Sequence, residues 1–209
     1  KRKLKRLGIS FNGACCRLYR KSVDSRKKND VHFVVSVAVG PLYCSLTEEA
    51  CKREGLALMN ETPLVPTFGE RPLHSSPIVV GSGPAGLFCA LLLAENGYAP
   101  IILERGGSVE QRTRAVEAFY KTKLLDTNTN IQFGAGGAGT FSDGKLVTRV
   151  NDPLTSYVLE RFIEFGAPEE IRYIAKPHVG TDVLSVVVDR MLDKIKALGG
   201  EIKYNTKFI

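Results

Sequence analysis

Residues 77–104 read PIVVGSGPAGLFCALLLAENGYAPIILE, and no other stretch restricts the fold as much. A short apolar run (77–80) leads into Gly81-Ser82-Gly83-Pro84-Ala85-Gly86. Leu87, Ala90, Leu91 and Ala94 then repeat at helical spacing, which predicts a helix over 85–96 that ends at Gly97. A second apolar run, 99–104, closes on an acid, Glu104, 23 residues after Gly81. Strand, tight turn, helix, strand and acid in that order describe a βαβ unit built to hold a nucleotide. Each part has a task. Gly81 permits the sharp turn, Gly83 lets backbone approach a pyrophosphate, and Gly86 lets helix and strand pack closely. The helix start offers unpaired N–H groups and a partial positive charge to phosphates. Glu104 accepts from ribose hydroxyls, and its charge repels a 2′-phosphate. Ser82, Pro84 and Ala85 complete the turn as cofactor-binding candidates, and Arg105 joins them directly after the acid.

A second match to the same glycine spacing, Gly134-Ala135-Gly136-Gly137-Ala138-Gly139, begins 53 residues after Gly81. Its context differs. The preceding LLDTNTNIQF is polar, and the following TFSDGK starts no helix. It is therefore not a second Rossmann turn. Two readings remain: a flexible surface loop, or a loop whose bare backbone meets a ligand beside Thr140, Ser142, Asp143 and Lys145. Spacing bears on which nucleotide. In a compact NAD-binding half, a third strand follows one short helix after the second. Here about 96 residues, 105–200, precede the next clear strand at 201–206. A large insertion with a Gly-Gly turn inside it is the plan of the glutathione-reductase-type FAD domain. That plan brings the loop back over the pyrophosphate and flavin, so Gly136, Gly137, Ser142 and Asp143 are the candidates nearer the flavin.

The other elements follow from caps and periodicity. Ser108, with Gln111 three residues on, predicts a capped helix over 108–123. Asp152-Pro153 reads as N-cap and first helical residue of a helix running to Gly166. From Thr181, the residues Leu184, Val187, Val188, Met191, Ile195 and Leu198 describe another helix, closed by Gly199-Gly200. Upstream, 14–21 and 31–39 predict two strands joined by the polar 25–30 loop, and 46–58 a helix capped by Thr47 with Gly55 near its end. Residues 62–76 carry three prolines and read as linker. Charge divides at the same place. Residues 1–74 hold 14 Lys+Arg against 7 Asp+Glu, whereas 75–209 hold 15 of each. The expectation is an α/β chain: a small basic α+β domain over 1–74, then an incomplete Rossmann-type FAD-binding domain over 75–209.

Several classes are disfavoured. No apolar run reaches the roughly 18 residues that a membrane span needs. Five cysteines without a C-x-x-C pair, and only three histidines, argue against zinc and suit a reducing cytoplasm. The chain lacks an initiator Met, and its last residues, EIKYNTKFI, stop inside a strand, so a fragment is expected. Residues 1–6 and 26–28 are basic enough to contact RNA or DNA phosphates. A solvated basic face is the default, because aromatics are sparse nearby. Arg112 and Arg114 either pair with pyrophosphate or are ordinary solvated helix charges. His178 either reaches an active site or is a structural or exposed histidine. Cys89 is read as packing.

Three segments carry a resemblance: IVVGSGPAGLFCALLLAENGYAPIILERG, FGAGGAGTFSDGKL and KPHVGTD. Together they resemble a family of FAD-dependent dehydrogenases, also called NAD(P)/FAD-dependent oxidoreductases. The likeness covers 77–209, and SVDSRKKNDVHFVVSV is similar to that family's basic N-terminal domain. The resemblance implies FAD as cofactor, NAD(P)H as candidate electron donor, a small-molecule substrate of unspecified class, and members considerably longer than this chain. Disulfide reductases on the same plan place a cysteine pair just after the Gly-Gly turn. GAGTFSDGKL has none, so electrons do not leave through a dithiol there. Two alternatives stand beside this reading: an NAD(P)-binding dehydrogenase, and a nucleic-acid-binding protein with a regulatory nucleotide site.

Overall fold

The structure is a computed structural model and describes residues 5–6, 16–40, 47–59, 65–67, 69, 73–148, 150, 152 and 154–209. Residues 62–64, 68 and 70–72 of the expected linker lie outside them, as does Pro153.

Strands β1 (Cys16–Asp24) and β2 (His32–Val39) form an antiparallel hairpin with Asp24 opposite His32. Valine dominates β2, β1 is largely basic and polar with one Val and one Tyr, and the polar loop between them closes on itself. There Arg26 folds back on Asp24, its Nε 3.0 Å from Oδ1. The hairpin is tied to the rest of the molecule at the outer edge of β1. Lys21 N–H donates to the Tyr173 carbonyl (2.7 Å), and Ala175 N–H donates to the Lys21 carbonyl (2.9 Å). Helix α1 (Glu48–Arg53) is shorter than the expected 46–58. Thr47 caps it as expected, its Oγ1 accepting from Ala50 N–H at 3.2 Å.

The main body is a mixed α/β arrangement on a three-stranded parallel sheet, β3 (Ile78–Val80), β4 (Ile101–Leu103) and β5 (Glu201–Lys203), in that spatial order. Ile78 pairs with Ile101, and Ile101 with Glu201. Side chains alternate across each strand, so Val79, Ile102 and Ile202 face one core. Ile78 and Val80, on the opposite face, are exposed.

Helix α2 (Pro84–Glu95) follows β3 and buries Leu87, Ala90, Leu91 and Ala94, the stripe expected from the spacing. Cys89 corrects the sequence reading. It points away from that stripe and is exposed, so it does no packing. Helix α3 (Val109–Thr122) opens with a complete capping box: Ser108 Oγ accepts from Gln111 N–H, and Gln111 Oε1 accepts from Ser108 N–H. Helix α4 (Leu154–Glu164) is preceded by Asp152, whose Oδ1 accepts from Leu154 N–H at 2.7 Å. Arg161 on α4 is ion-paired to Glu95 of α2 and to Glu164.

Helix α5 (Thr181–Ala197) presents Leu184, Val187, Val188, Met191, Leu192 and Ile195 to α2 and the sheet. It then delivers the chain into β5, which pairs with β4. The long excursion after β4 therefore ends beside the strand it left. Among the described residues, no helix is long and apolar enough to cross a membrane.

Leu91 is fully buried where α2 meets the core. Leu91→Ala is expected to lower folding stability by about 2–5 kcal/mol, read as a fall in the urea midpoint with little change in m-value.

Candidate functional site

The two glycine loops touch. At the first, a methyl group on Gly86 would collide with the Gly81 carbonyl and lie 3.3 Å from Val79 Cγ1, so helix, turn and strand interlock only around a bare backbone. At the second, Gly136 N–H donates to the Ser82 carbonyl at 3.0 Å. A methyl group on Gly137 would sit 3.0 Å from Gly83 Cα and 3.2 Å from Pro84 Cδ, and Gly137 adopts φ +67°. Both the contact and the dihedral require glycine there. Gly134, Ala135 and Gly136 are buried, which removes the flexible-surface-loop reading.

This junction lies at the start of α2. No side chain caps that helix, Pro84 occupies its first turn, and Pro84 and Ala85 are exposed. The orphan N–H groups and partial positive charge of the helix start therefore face solvent beside two glycine backbones.

Glu104 ends β4 and is 5% exposed. Its Oε2 accepts from Ser82 N–H (2.8 Å) and Ser82 Oγ–H (2.6 Å), and its Oε1 accepts from Gly106 N–H (2.9 Å). Burial pushes the carboxyl pKa upward, but the Ser82, Gly106 and Gly134 hydrogen bonds outweigh it and hold the group below its ordinary value. In the structure this acid braces the first turn from below, a role beyond the ribose contact expected from sequence. Arg105 stacks its guanidinium 3.4 Å from the centre of the Phe133 ring, and one of its terminal nitrogens is buried without a partner among the described residues.

Arg112 occupies neither position expected for it. It is not a solvated helix charge, and its donors do not face the open start of α2. The side chain is completely buried on the inner face of α3, between Val109 and Val116. Its Nε donates to the Asn130 carbonyl (2.8 Å), Nη1 to those of Ala135 (2.8 Å) and Gly137 (2.6 Å), and Nη2 to that of Ile131 (2.5 Å). Burial brings its pKa down to about 10, so it stays charged at neutral pH. A cue was present in the sequence, because Arg112 stands on the apolar stripe 109–112–116. Arg114, by contrast, is exposed and pairs with Glu110 one turn back.

The SDGKL and KPHVG segments also meet. Val179 N–H donates to the Gly144 carbonyl (2.8 Å), and Leu146 N–H to the Pro177 carbonyl (3.0 Å). Gly144 has φ +71°, and a methyl group there would collide with the Val179 carbonyl. Ser142 Oγ donates to the Gly139 carbonyl at 2.8 Å. Asp143 and Lys145 form an exposed ion pair at 2.6 Å, which lowers the Asp143 pKa and raises that of Lys145. His178 is exposed beside them and also favours the Asp143 carboxylate. Thr129, absent from the sequence expectations, and Thr140 complete the loop. Thr129 Oγ1 accepts from Gly107 N–H at 3.0 Å. Thr140, named only as a neighbour of the glycines, is 1% exposed, and its hydroxyl has no partner among the described residues.

Residues 75–122, from β3 through the last residue of α3, match the family model for an FAD binding domain. The match supports an FAD-binding segment there. The chain is also 44% identical over 201 residues to an uncharacterized protein of Clostridium beijerinckii (strain ATCC 51743 / NCIMB 8052). That alignment covers 91% of this chain and 36% of the relative, so the chain spans about a third of the relative's length.

The site suits the diphosphate of FAD on its own geometry. It combines an uncapped helix start, a close approach of Gly137 to Gly83 and Pro84 that a Cβ on Gly137 would fill, and a Thr140 hydroxyl inside the second loop that has no partner among the described residues.

The lowered Glu104 pKa has a pH signature. Its contribution to stability is full above the ordinary carboxyl value of 4.5 and is lost as pH falls through the lower folded value. Urea titrations from about pH 5 downward should therefore show a steeper acid loss for the native protein than for Glu104→Gln. Equal slopes would exclude Glu104 as the source.

Proposed function

We propose that this chain is the cofactor-binding part of an FAD-dependent dehydrogenase, with a Rossmann-type FAD domain on the glutathione-reductase plan over 75–209. The observation that carries the reading is the contact of the two glycine loops at the open start of α2. A pyrophosphate needs backbone N–H donors, an approach free of side chains, and positive potential, and this junction combines all three. Bound FAD would supply the hydride chemistry.

The chain's own residues bind and orient. Gly81, Ser82, Gly83, Pro84, Ala85 and Gly86 form the diphosphate turn, and Gly136 and Gly137 close it from the other side. Glu104 is the acid for the adenosine ribose, with Arg105 beside it. Ser142 and Asp143 lie on the strip that leads toward the flavin. NAD(P)H is the proposed electron donor. The dithiol route is closed here, since 134–146 contains no cysteine.

The test is a visible absorption spectrum of the purified full-length protein, with chromatography of what denaturation releases. A yellow protein that releases FAD is expected. A colourless protein that also fails to take up added FAD would overturn the reading. Gly137→Val should weaken FAD binding about tenfold or more, since its side chain must displace Gly83 or Pro84 from the junction at about 1–3 kcal/mol. Flavin fluorescence titration reads that change.

A further inference from the structure

We propose that Arg112 is a positioning residue that sets diphosphate affinity from inside the second glycine loop, through the field of a buried charge left without a direct counterion. The proposal rests on the FAD reading of the junction and deepens it.

Arg112 is fully buried, and its hydrogen bonds all run to backbone carbonyls, those of Asn130, Ile131, Ala135 and Gly137. The Phe141 ring lies 4.6 Å from its guanidinium carbon. Among the described residues, it forms no ion pair. Glu104 acts on it through space, while the carboxylate bonds directly to Ser82 and Gly106.

Burying a cation with no anion in contact is costly, and carbonyl dipoles offset the cost only in part. The location suggests what completes the compensation. Ala135 and Gly137, two of the carbonyls it holds, flank Gly136, whose N–H is bonded to the Ser82 carbonyl of the first turn. The charge thus stands directly behind the junction, shielded by protein rather than by salt. A diphosphate arriving at the open start of α2 would meet this field together with that of the helix. Arg112 would thereby do two things at once: tether the loop at four points, and make the junction prefer an anion.

These two roles separate experimentally. The full-length protein, stripped of flavin, is titrated calorimetrically with ADP and with adenosine, which share the nucleoside and differ in the diphosphate. In Arg112→Met, ADP binding should weaken by about tenfold more than adenosine binding. Arg112→Lys keeps the charge but offers three donors in place of the fork. It should weaken both ligands while preserving most of the native ADP-to-adenosine ratio. That ratio should also change little between low and high salt, because a buried charge is poorly screened.

Equal losses for the two ligands in Arg112→Met would overturn the proposal and leave a tether only. If Arg112→Met does not fold, a collapse of the ratio in Arg112→Lys overturns it instead. A native protein that takes up neither ADP nor FAD sinks the FAD reading, and this inference with it. ADP uptake with an unaltered ratio in the variants sinks the inference alone.

Discussion

One hydrogen bond, from Gly136 N–H to the Ser82 carbonyl, joins two loops that lie far apart along the chain. Around it, Gly137 presses on Gly83 and Pro84 with no Cβ between them. The intervening chain must leave the sheet after β4, cap and run α3, and turn back through 123–135 to reach this point. The contact therefore dictates the course of the insertion as well as the shape of the site. A side chain at Gly137 would force the loops apart, because its Cβ would lie 3.0 Å from Gly83 Cα and 3.2 Å from Pro84 Cδ. The helix start of α2 would then stand alone.

Two buried charges hold the junction from opposite sides. Glu104 collects the Ser82 N–H and hydroxyl and the Gly106 N–H, fixing the first loop to the end of β4. Arg112 collects four carbonyls and fixes the second loop to α3. Neither bonds directly to the other. Each ion is solvated by backbone groups in place of water, which rigidifies loops that carry few side chains able to pack. Such preorganisation suits a ligand whose charge must be met by fixed dipoles, since mobile donors would have to be ordered on binding.

Behind the junction lies a conventional hydrophobic core. Val79 and Ile102 from the sheet, the Leu87–Ala90–Leu91–Ala94 face of α2, and the inner face of α5 form one cluster. Its function is positional. It aims the start of α2 at the second loop, and through Val188, close beside Gly136, it supports that loop from below. The β1–β2 hairpin attaches through Lys21 and the 173–175 segment.

Much of this was legible in the sequence because it is local. A strand, a glycine turn and an apolar stripe at 3.6-residue spacing specify β3, α2 and β4 with little help from the rest of the chain. Ser108 with Gln111 and Thr47 with Ala50 cap their helices through bonds three residues long, so residue identity was enough. The second glycine match could be recognised as no Rossmann turn, yet its buried place could not be read, because its partners lie on β3 and α2. The solvated reading of Arg112 failed for the same reason. An arginine on a helix is ordinarily solvated, and only the fold brings four orphan carbonyls to it in a place water does not reach. Cys89 looked like packing until the orientation of α2 put it on the outer side. Local chemistry thus determined the elements and the first loop. Tertiary structure alone decided which backbone groups would need a charge, and hence where the charges went.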